Sequence, residues 1–589
     1  MSQIAIPFRE IRGEKLNDEQ TSYLEGLFAG LSNRGVQFND VELNPVAAPV
    51  VDEEDLIFEE RVKRVLHPLD AFDSLVDDAE MKRAPAKENV FRYKWRGLFF
   101  LSPAHEAFMC RLRIPGGVVQ SFQLRELAQI SKELTTGYIQ ITTRANLQLR
   151  NIEAKNTVPL LRRIEAVGLT SQGSGGDNIR NITCSPTAGI DKHELIDSLP
   201  LANEIAAYIR HHREFYDLPR KFNIALDGGG AISSAEDSND IGWTATRVGE
   251  GVEGIEPGIY FRVALGGATG HQAFARDLGV VVPPGQVVRV TAALLRVFIA
   301  NGNRENRKKA RLKHLLDKWS LEDYLKETES LLGYSLLRLP LASEAAAESG
   351  ASSERSGKVA EQHPQVGVFP QRQDGLNYVG VSIPVGQITP KQLIKIAELA
   401  DRYGSGDIRL TIWQNLLLPN IADADVEAVK KALVKMGLDC QHSNLKTGFV
   451  ACTGNSYCKF ASSNTKGNAL DFMKYLDKRH KLDQPINVHL TGCPHSCAQH
   501  YMGDIGLLAT KVNQHGESLE GYHVFVGGGF GAQQKLGRQV FHGLSVGQVR
   551  KTLDIMIAAY QKNRLDRESF QSFTNRHDLN ALQVLFSEP

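Results

Sequence analysis

The sequence repeats itself. Laid on itself at a shift of 269 residues, Ile114-Pro115 falls on Ile383-Pro384, Gly117 on Gly386 and Leu124 on Leu393 without a gap. The same shift carries Ile139-Gln-Ile-Thr142 onto Ile408-Arg-Leu-Thr411, Asn146-Leu147 onto Asn415-Leu416, and Gly168-Leu169 onto Gly437-Leu438. A match of that length is the repeat of a folding unit. Each copy reads as a strand, a Pro/Gly turn, an amphipathic helix, an alternating strand and a second helix ending in Gly-Leu, a βαβ-type half-domain. One copy alone leaves a sheet face and an edge uncovered, so the two halves are expected to pair into one domain.

A second duplicated unit follows each half. At a shift of 264, Phe222-Asn-Ile-Ala-Leu-Asp-Gly228 falls on Ile486-Asn-Val-His-Leu-Thr-Gly492, and Asp240-Ile-Gly242 on Asp504-Ile-Gly506. Further on, Leu265-Gly-Gly267 matches Val526-Gly-Gly528. The later copy carries Cys493 and Cys497 where the earlier one has Gly229 and a residue other than cysteine. That asymmetry assigns metal to the later copy and leaves the earlier one, with its polar and basic residues, to build the substrate side of a shared pocket. Between the repeats, Ser343 to about Gln362 is small and polar and reads as a flexible linker. Ahead of them, a helix is expected after Asn17, with Gln20 completing a capping box, and Asp52-Glu-Glu-Asp55 reads as a solvated acidic face.

A chain of 589 residues is too long for one ordinary core. Its formal net charge of zero removes any global electrostatic case for binding nucleic acid or a membrane surface. The first residues lack the basic and apolar regions of a secretory signal, and no apolar stretch reaches the length of a membrane span. The expected setting is the cytoplasm of a prokaryote. Seven cysteines suit a reducing compartment better than a disulfide framework, and Cys110, Cys184 and Cys440 read as small buried hydrophobes. The runs Gly228-Gly-Gly230 and Gly527-Gly-Gly-Phe-Gly531 lack the spacing and following acid of a dinucleotide loop, so no flavin or nicotinamide module is read.

The other four cysteines carry the chemistry. Cys452 and Cys458 are separated by five residues, and Cys493 and Cys497 by three. Cys452-Thr-Gly-Asn-Ser-Tyr-Cys458 is turn-forming, and Thr491-Gly-Cys-Pro494 places a proline where a helix is expected to begin, with N–H groups available to thiolate sulfur. Structural zinc usually takes tight Cys-x-x-Cys knuckles. Wide, unequal arms suit an iron–sulfur cluster, with zinc, disulfides and buried structural thiols as the alternatives.

The segments Val450-Ala-Cys-Thr-Gly-Asn-Ser-Tyr-Cys458 and Thr491-Gly-Cys-Pro-His-Ser-Cys-Ala-Gln499 resemble the two cluster motifs of the siroheme-containing assimilatory nitrite and sulfite reductases, and most of all the ferredoxin-dependent nitrite reductases. The resemblance implies an α+β fold of two tandem pseudo-symmetric repeats, each a ferredoxin-like half-domain followed by a siroheme/4Fe-4S-type α/β domain. It implies a 4Fe-4S cluster on Cys452, Cys458, Cys493 and Cys497, with Cys497 also ligating siroheme iron. Arg111, Arg180, Lys221 and Asn223 match the anion-binding and proton-delivering residues. A lone arginine on a strand is usually a surface charge, and it is the family match at separated positions that reverses this. Thr142, Arg144, Asn146 and Gln148 match a siroheme-contacting strand, with Gln414 and Asn415 as the second-half counterparts. The bland reading of Asn146 and Asn415 is strand-end turn residues. Arg304 and Arg307 match a basic segment near the siroheme carboxylates, whose bland reading is a solvated helix face and whose other reading is a donor-docking surface.

Sulfite-reducing relatives place a lysine where Asn223 stands. Nitrite is a monoanion and sulfite close to a dianion, so one cation fewer favours nitrite. The expected activity is six-electron reduction of nitrite to ammonium by a monomer fed by reduced ferredoxin or flavodoxin. The alternatives are assimilatory sulfite reduction and, in another class, a non-catalytic iron–sulfur redox protein. The expected domains are 1–92, an N-terminal extension; 93–172, half-domain 1; 173–342, the substrate side; 343–364, the linker; 365–442, half-domain 2; and 443–589, the cluster domain. His495, where relatives commonly have asparagine, is a departure from the family pattern.

Overall fold

The structure is a computed structural model that describes residues 10–11, 14–15, 56–101, 106–135, 137–339, 365–441, 443–514 and 516–587. The helix expected after Asn17, the acidic run at 52–55 and the linker at 343–362 lie outside these residues. Residues 1–45 form one unit, of which an antiparallel pairing of Glu10–Ile11 with Glu14–Lys15 is described. Residues 46–589 form the other, and it holds everything below.

The two half-domains pair by lending each other a strand. One five-stranded sheet runs Gln387–Ile388, Ile139–Ile141, Leu147–Ile152, Phe108–Arg111, Leu98–Phe100. Its mate runs Gly367–Pro370, Leu376–Val381, Leu416–Ala422, Asp407–Leu410, Val118–Gln120. Each sheet therefore has a neighbour from the other half at its edge, with Ile388 opposite Ile139 and Ile408 opposite Val119. The exchange covers an edge that either half alone leaves open. Helices Ser121–Leu134 and Pro390–Tyr403 bury Leu124, Leu127, Ile396 and Ala400 in one continuous core drawn from both halves.

The two α/β units share a topology. Ile179–Cys184, Phe222–Asp227 and Ile241–Val248 are parallel neighbours, and Gly258–Leu265 returns antiparallel. In the later unit Phe449–Ala451, Val488–Thr491 and Ile505–Gln514 are parallel, with Glu517–Val526 antiparallel. The first parallel pair in each needs a crossover, supplied by helices Leu199–His211 and Thr465–Arg479. Their buried faces correspond, Ala202, Ile205, Ala206 and Ile209 falling on Ala469, Phe472, Met473 and Leu476.

No helix begins at Pro494. The chain from Thr491 to Gly503 is a series of turns with Ser496 and Gln499 at positive φ (51° and 56°), and the Ala498 N–H goes to the Thr491 hydroxyl at 3.3 Å. Two left-handed residues within four positions prevent a helical ladder, and the cysteines sit on this irregular backbone instead.

Asp240 and Asp504 hold equivalent places, accepting the backbone N–H of Asn223 (2.9 Å) and Asn487 (2.7 Å). Only Asp240 has an arginine, Arg311, bound through Nε and Nη2. Without one, burial pushes the Asp504 carboxyl up to about 7 from 3.8. The unfolded chain ionises there first, so this group's contribution to stability falls as pH rises from about 4 to about 7. Asp504→Asn should flatten that part of the melting-temperature profile. Calorimetry over a pH series reads it, and an unchanged slope would mean the buried carboxyl is already ionised.

Candidate active site

A cavity of about 680 Å³ opens where the half-domains meet both α/β units, within the range of cofactor sites. Arg111 reaches it from the end of strand Phe108–Arg111, Arg180 from strand Ile179–Cys184, and Lys221 and Asn223 from the start of strand Phe222–Asp227. The turn Thr142–Asn146, joining Ile139–Ile141 to Leu147–Ile152, supplies Thr142, Arg144 and Asn146. Opposite stand Gln414, Cys452, Lys466 and the turn carrying His495 and Cys497.

The cations here fall into two layers. Those of the outer layer are neutralised. Arg307 makes two bonds to Asp177, at 2.9 and 2.7 Å, and pairs with Glu59 at 3.0 Å, while Arg311 grips Asp240. Those of the inner layer form no ion pair among the described residues. Arg111 lies over the Phe99 ring at 4.8 Å and bonds only the Ser174 carbonyl. The buried Arg144 Nη1 and Arg180 Nε have no hydrogen-bond partner. Burial lowers Arg144 to about 10 and Arg180 to about 9, and for Arg180 the Arg111 and Arg220 charges add to it. Lys221 falls to about 7, first through burial, then through Arg311 and Arg180. Unpaired buried cations are costly, so this arrangement is that of a receptor for an anionic ligand. Orphaned guanidinium atoms around a cavity of this size fit a tetrapyrrole bearing several carboxylates together with a small anion.

The cysteine end is built from two turns. Cys452 Sγ accepts the Gly492 N–H at 3.1 Å and lies 3.5 Å from the Thr465 hydroxyl. A side chain at Gly492 would meet Ala461 Cβ at 2.6 Å and Cys452 Sγ at 3.4 Å, so the residue before Cys493 has to be glycine for the two arms to close. Burial first, and then the charges of Cys497, Cys458 and Cys452, push the Cys493 thiol up to about 12. All seven cysteines are free thiols. Among the described residues no group of three His, Cys, Asp or Glu is gathered as ligands of a metal ion. As thiolates the four on two turns would repel one another, and the larger cage of a cluster, whose irons would accept that charge, suits them. Thr143 Oγ1 donates to the Cys497 carbonyl at 2.8 Å, tying the cysteine turn to the arginine turn.

Not every residue expected from sequence faces the cavity. Arg304 is buried away from it, bound to Glu60 at 2.9 Å and Asp217 at 3.2 Å, with Lys63 in the same network; its charge is spent holding helix Phe58–Val65 to the chain at 217. The segment from Asn303 to Lys313 is not a solvated helix either, since Arg304, Arg307 and Arg311 all end on buried or half-buried acids. Asn415 is also absent from the lining, its Oδ1 accepting the Ile383 N–H at 2.9 Å. Asn146 touches the cavity but bonds the Leu112 carbonyl and the Leu147 N–H, which is the strand-end role. Gln414 ties Ile141 to Ala451, and Gln148 accepts from Arg150 at 2.7 Å.

Sequence reasoning passed over Arg150, Arg220, Arg311 and Lys466. Arg311 lies one turn beyond Arg307 in the same basic stretch and Arg220 adjoins Lys221, so both carried a signal. Arg150 and Lys466 carried none.

A family model described as "Nitrite and sulphite reductase 4Fe-4S domain" matches residues 175–336 and 444–586. A second, "Nitrite/Sulfite reductase ferredoxin-like half domain", matches 103–167 and 369–436. The ferredoxin–nitrite reductase of Synechococcus elongatus is 39% identical over 77% of this chain and 86% of its own. That of Spinacia oleracea, a chloroplast protein, is 34% identical over 76% and 74%. Among solved structures, the NirA protein of Mycobacterium tuberculosis aligns with a TM-score of 0.81 at 29% identity, covering 90% of this chain and 97% of its own. The duplicated half-domains, the paired cysteine turns and these matches together place the chain in the nitrite and sulphite reductase family with a 4Fe-4S domain.

Proposed function

We propose that this chain reduces nitrite to ammonium, with electrons delivered singly by reduced ferredoxin or a flavodoxin-like carrier. The balance is one nitrite, six electrons and eight protons to one ammonium and two waters. The observation that carries the reading is the inner layer of unpaired cations converging on the cavity wall that holds Cys497. The names of the relatives support the same donor and substrate. When bound, a 4Fe-4S cluster on Cys452, Cys458, Cys493 and Cys497, with siroheme beside Cys497, supplies the redox chemistry. Arg144 would meet siroheme carboxylates, with Thr142, Gln148 and Gln414 around the ring, while Arg307 lines the cavity with its charge already taken by Asp177 and Glu59.

The chain's own residues have three tasks. Arg111 and Arg180 hold the anion by charge-assisted hydrogen bonds from donors fixed in place before it arrives. Lys221, poised near neutrality, takes a proton when an anion enters and holds it at Nζ for transfer to substrate oxygen or nitrogen. Asn223 is pinned to Asp240 through its backbone N–H at 2.9 Å and its side-chain amide at 3.5 Å, which keeps a neutral group where a second lysine would serve a dianion. Sulfite is therefore the weaker substrate. The reading includes a monomer in the cytoplasm, a setting that keeps the seven free thiols reduced. No helix among the described residues is long and apolar enough to cross a membrane.

The test is an absorption spectrum of the purified protein followed by parallel nitrite and sulfite assays with a reduced low-potential dye; a colourless protein ends the reading. Arg111→Ala and Lys221→Ala should each lower nitrite kcat/KM by about 10²–10³-fold, the loss typical of a charge-stabilising donor, with the spectrum retained. Because Lys221 loses its proton as pH rises through about 7, nitrite KM should climb above that pH in the wild type and stay flat in Lys221→Met. Asn223→Lys should move the ratio of sulfite to nitrite kcat/KM at least about tenfold toward sulfite; an unmoved ratio removes the argument for substrate. Arg304→Ala should leave nitrite KM alone and cost about 1–3 kcal/mol of stability, because Glu60 Oε2 loses its buried donor while Lys63 stays on Oε1.

A further inference from the structure

Lys466 is a second-position residue of helix Thr465–Arg479, 6% exposed, and lines the cavity on the cysteine side. Its Nζ donates to the carbonyls of Val385 and of Ala451, the residue before Cys452. Among the described residues no carboxylate acts on it. Burial and the repulsive Arg150 disfavour its charge and Cys452 favours it, so the charge is sustained by negative charge on the cysteine side. Arg150 is 4% exposed, donates at 2.7 Å to Gln140, Gln148 and Thr453, and lies 5.3 Å from the Tyr457 ring. Its acidic neighbours are two tyrosines and Cys458. Two buried cations that repel each other thus stand together, and the groups able to balance them are cluster cysteines.

The internal duplication supplies a control. The buried faces of the two crossover helices superimpose Ala202 on Ala469 and Ile205 on Phe472, and the same step takes Leu199 onto Lys466. In the earlier copy Leu199 packs against the Pro/Gly turn, where a Cβ on Gly116 would lie 2.3 Å from Leu199 Cδ1. In the later copy Lys466 bonds the matching turn at Val385, a β-branched residue held at φ 48°. The fold accepts an apolar side chain at this place, and the lysine appears in the copy that bears cysteines.

We propose that Lys466, with Arg150 behind it, is the fixed countercharge of the iron–sulfur cluster and raises its reduction potential. The inference rests on the cluster assigned under the proposed function. One-electron reduction, by dithionite through mediator dyes in a titration, adds one negative charge to a group held by four thiolates. A cation fixed in a low-dielectric wall stabilises the reduced state more than the oxidised one. Lys466 touches no substrate and acts on the cluster as a positioning charge.

The experiment is an EPR-monitored redox titration of the full chain without nitrite, alongside iron and sulfide analysis, for wild type, Lys466→Met and Lys466→Arg. With the cluster retained, Lys466→Met should be about tenfold less reduced at a given potential, a shift of about 59 mV downward for a one-electron couple, and Lys466→Arg should match wild type. Loss of iron and sulfide in Lys466→Met with retention in Lys466→Arg also supports the countercharge, since the cluster then fails to assemble without it. An unmoved potential in Lys466→Met, equal shifts in both variants, or loss of the cluster from both overturns it in favour of a clamp on the Val385 turn. A wild type with neither iron nor sulfide fails the proposed function instead, and is read before any variant.

Discussion

Buried positive charge without matching acid is the constraint on which this architecture turns. Arg111, Arg144, Arg180, Lys221 and Lys466 line one cavity, and Arg150 stands behind its cysteine wall, none of them in an ion pair among the described residues. A chain that did this for stability alone would be better served by apolar residues of similar volume. The proposed function puts anions beside these cations, and their desolvation makes each act more strongly on whatever enters.

What keeps that charge in place is the outer layer. Asp177 and Asp240 are almost fully buried, and each is gripped by an arginine. Asp240 also fixes Asn223 through the backbone, so one carboxylate sets both a strand end and the position of a cation. Neutralising the outer layer confines the uncompensated field to the inner one. Arg304 is the extreme case, a basic residue in a basic segment whose entire charge goes to joining Glu60 and Asp217.

The duplication was legible from sequence because its turn residues recur at fixed offsets, and pairing of the halves followed from the edges they leave bare. Strand exchange was not legible, since Val118–Gln120 and Gln387–Ile388 are too short to announce which sheet receives them. Cys452, Cys458, Cys493 and Cys497, proposed for the cluster, and the inner cations Arg111, Arg144, Arg180 and Lys221 were reached through motif resemblance. Arg304 was misplaced because partner acids at 60 and 217 are remote in the sequence, and charge alone does not say whether a residue is spent or free. The helix expected at Pro494 failed for a local reason: proline favours a first turn, but Ser496 and Gln499 go left-handed to wrap the loop around Cys493 and Cys497. Lys466 lay beyond reach, because its meaning rests on comparing two helices whose correspondence shows only in their buried faces.

Function in this fold sits where the two copies stop matching. Arg144 on the cavity corresponds to Trp413, which packs against Phe530 and His489 with centroids 4.9 and 5.9 Å apart. Arg311 on Asp240 has no counterpart at Asp504. Leu199 corresponds to Lys466, Gly116 to Val385, and Gly229 to Cys493. These differences change charge, donor count or thiol content on a shared topology, so under the proposed function one scaffold serves as an anion receptor in its first half and a thiolate cage in its second. Their meeting is enforced by the strand exchange between half-domains. It sets the turn at 142–146 against the one at 493–497 through the Thr143 bond to the Cys497 carbonyl. Separated halves would keep their sheets' inner strands but lose the edge, the shared core and the cavity together, which is why the receptor and the cage are built in one chain.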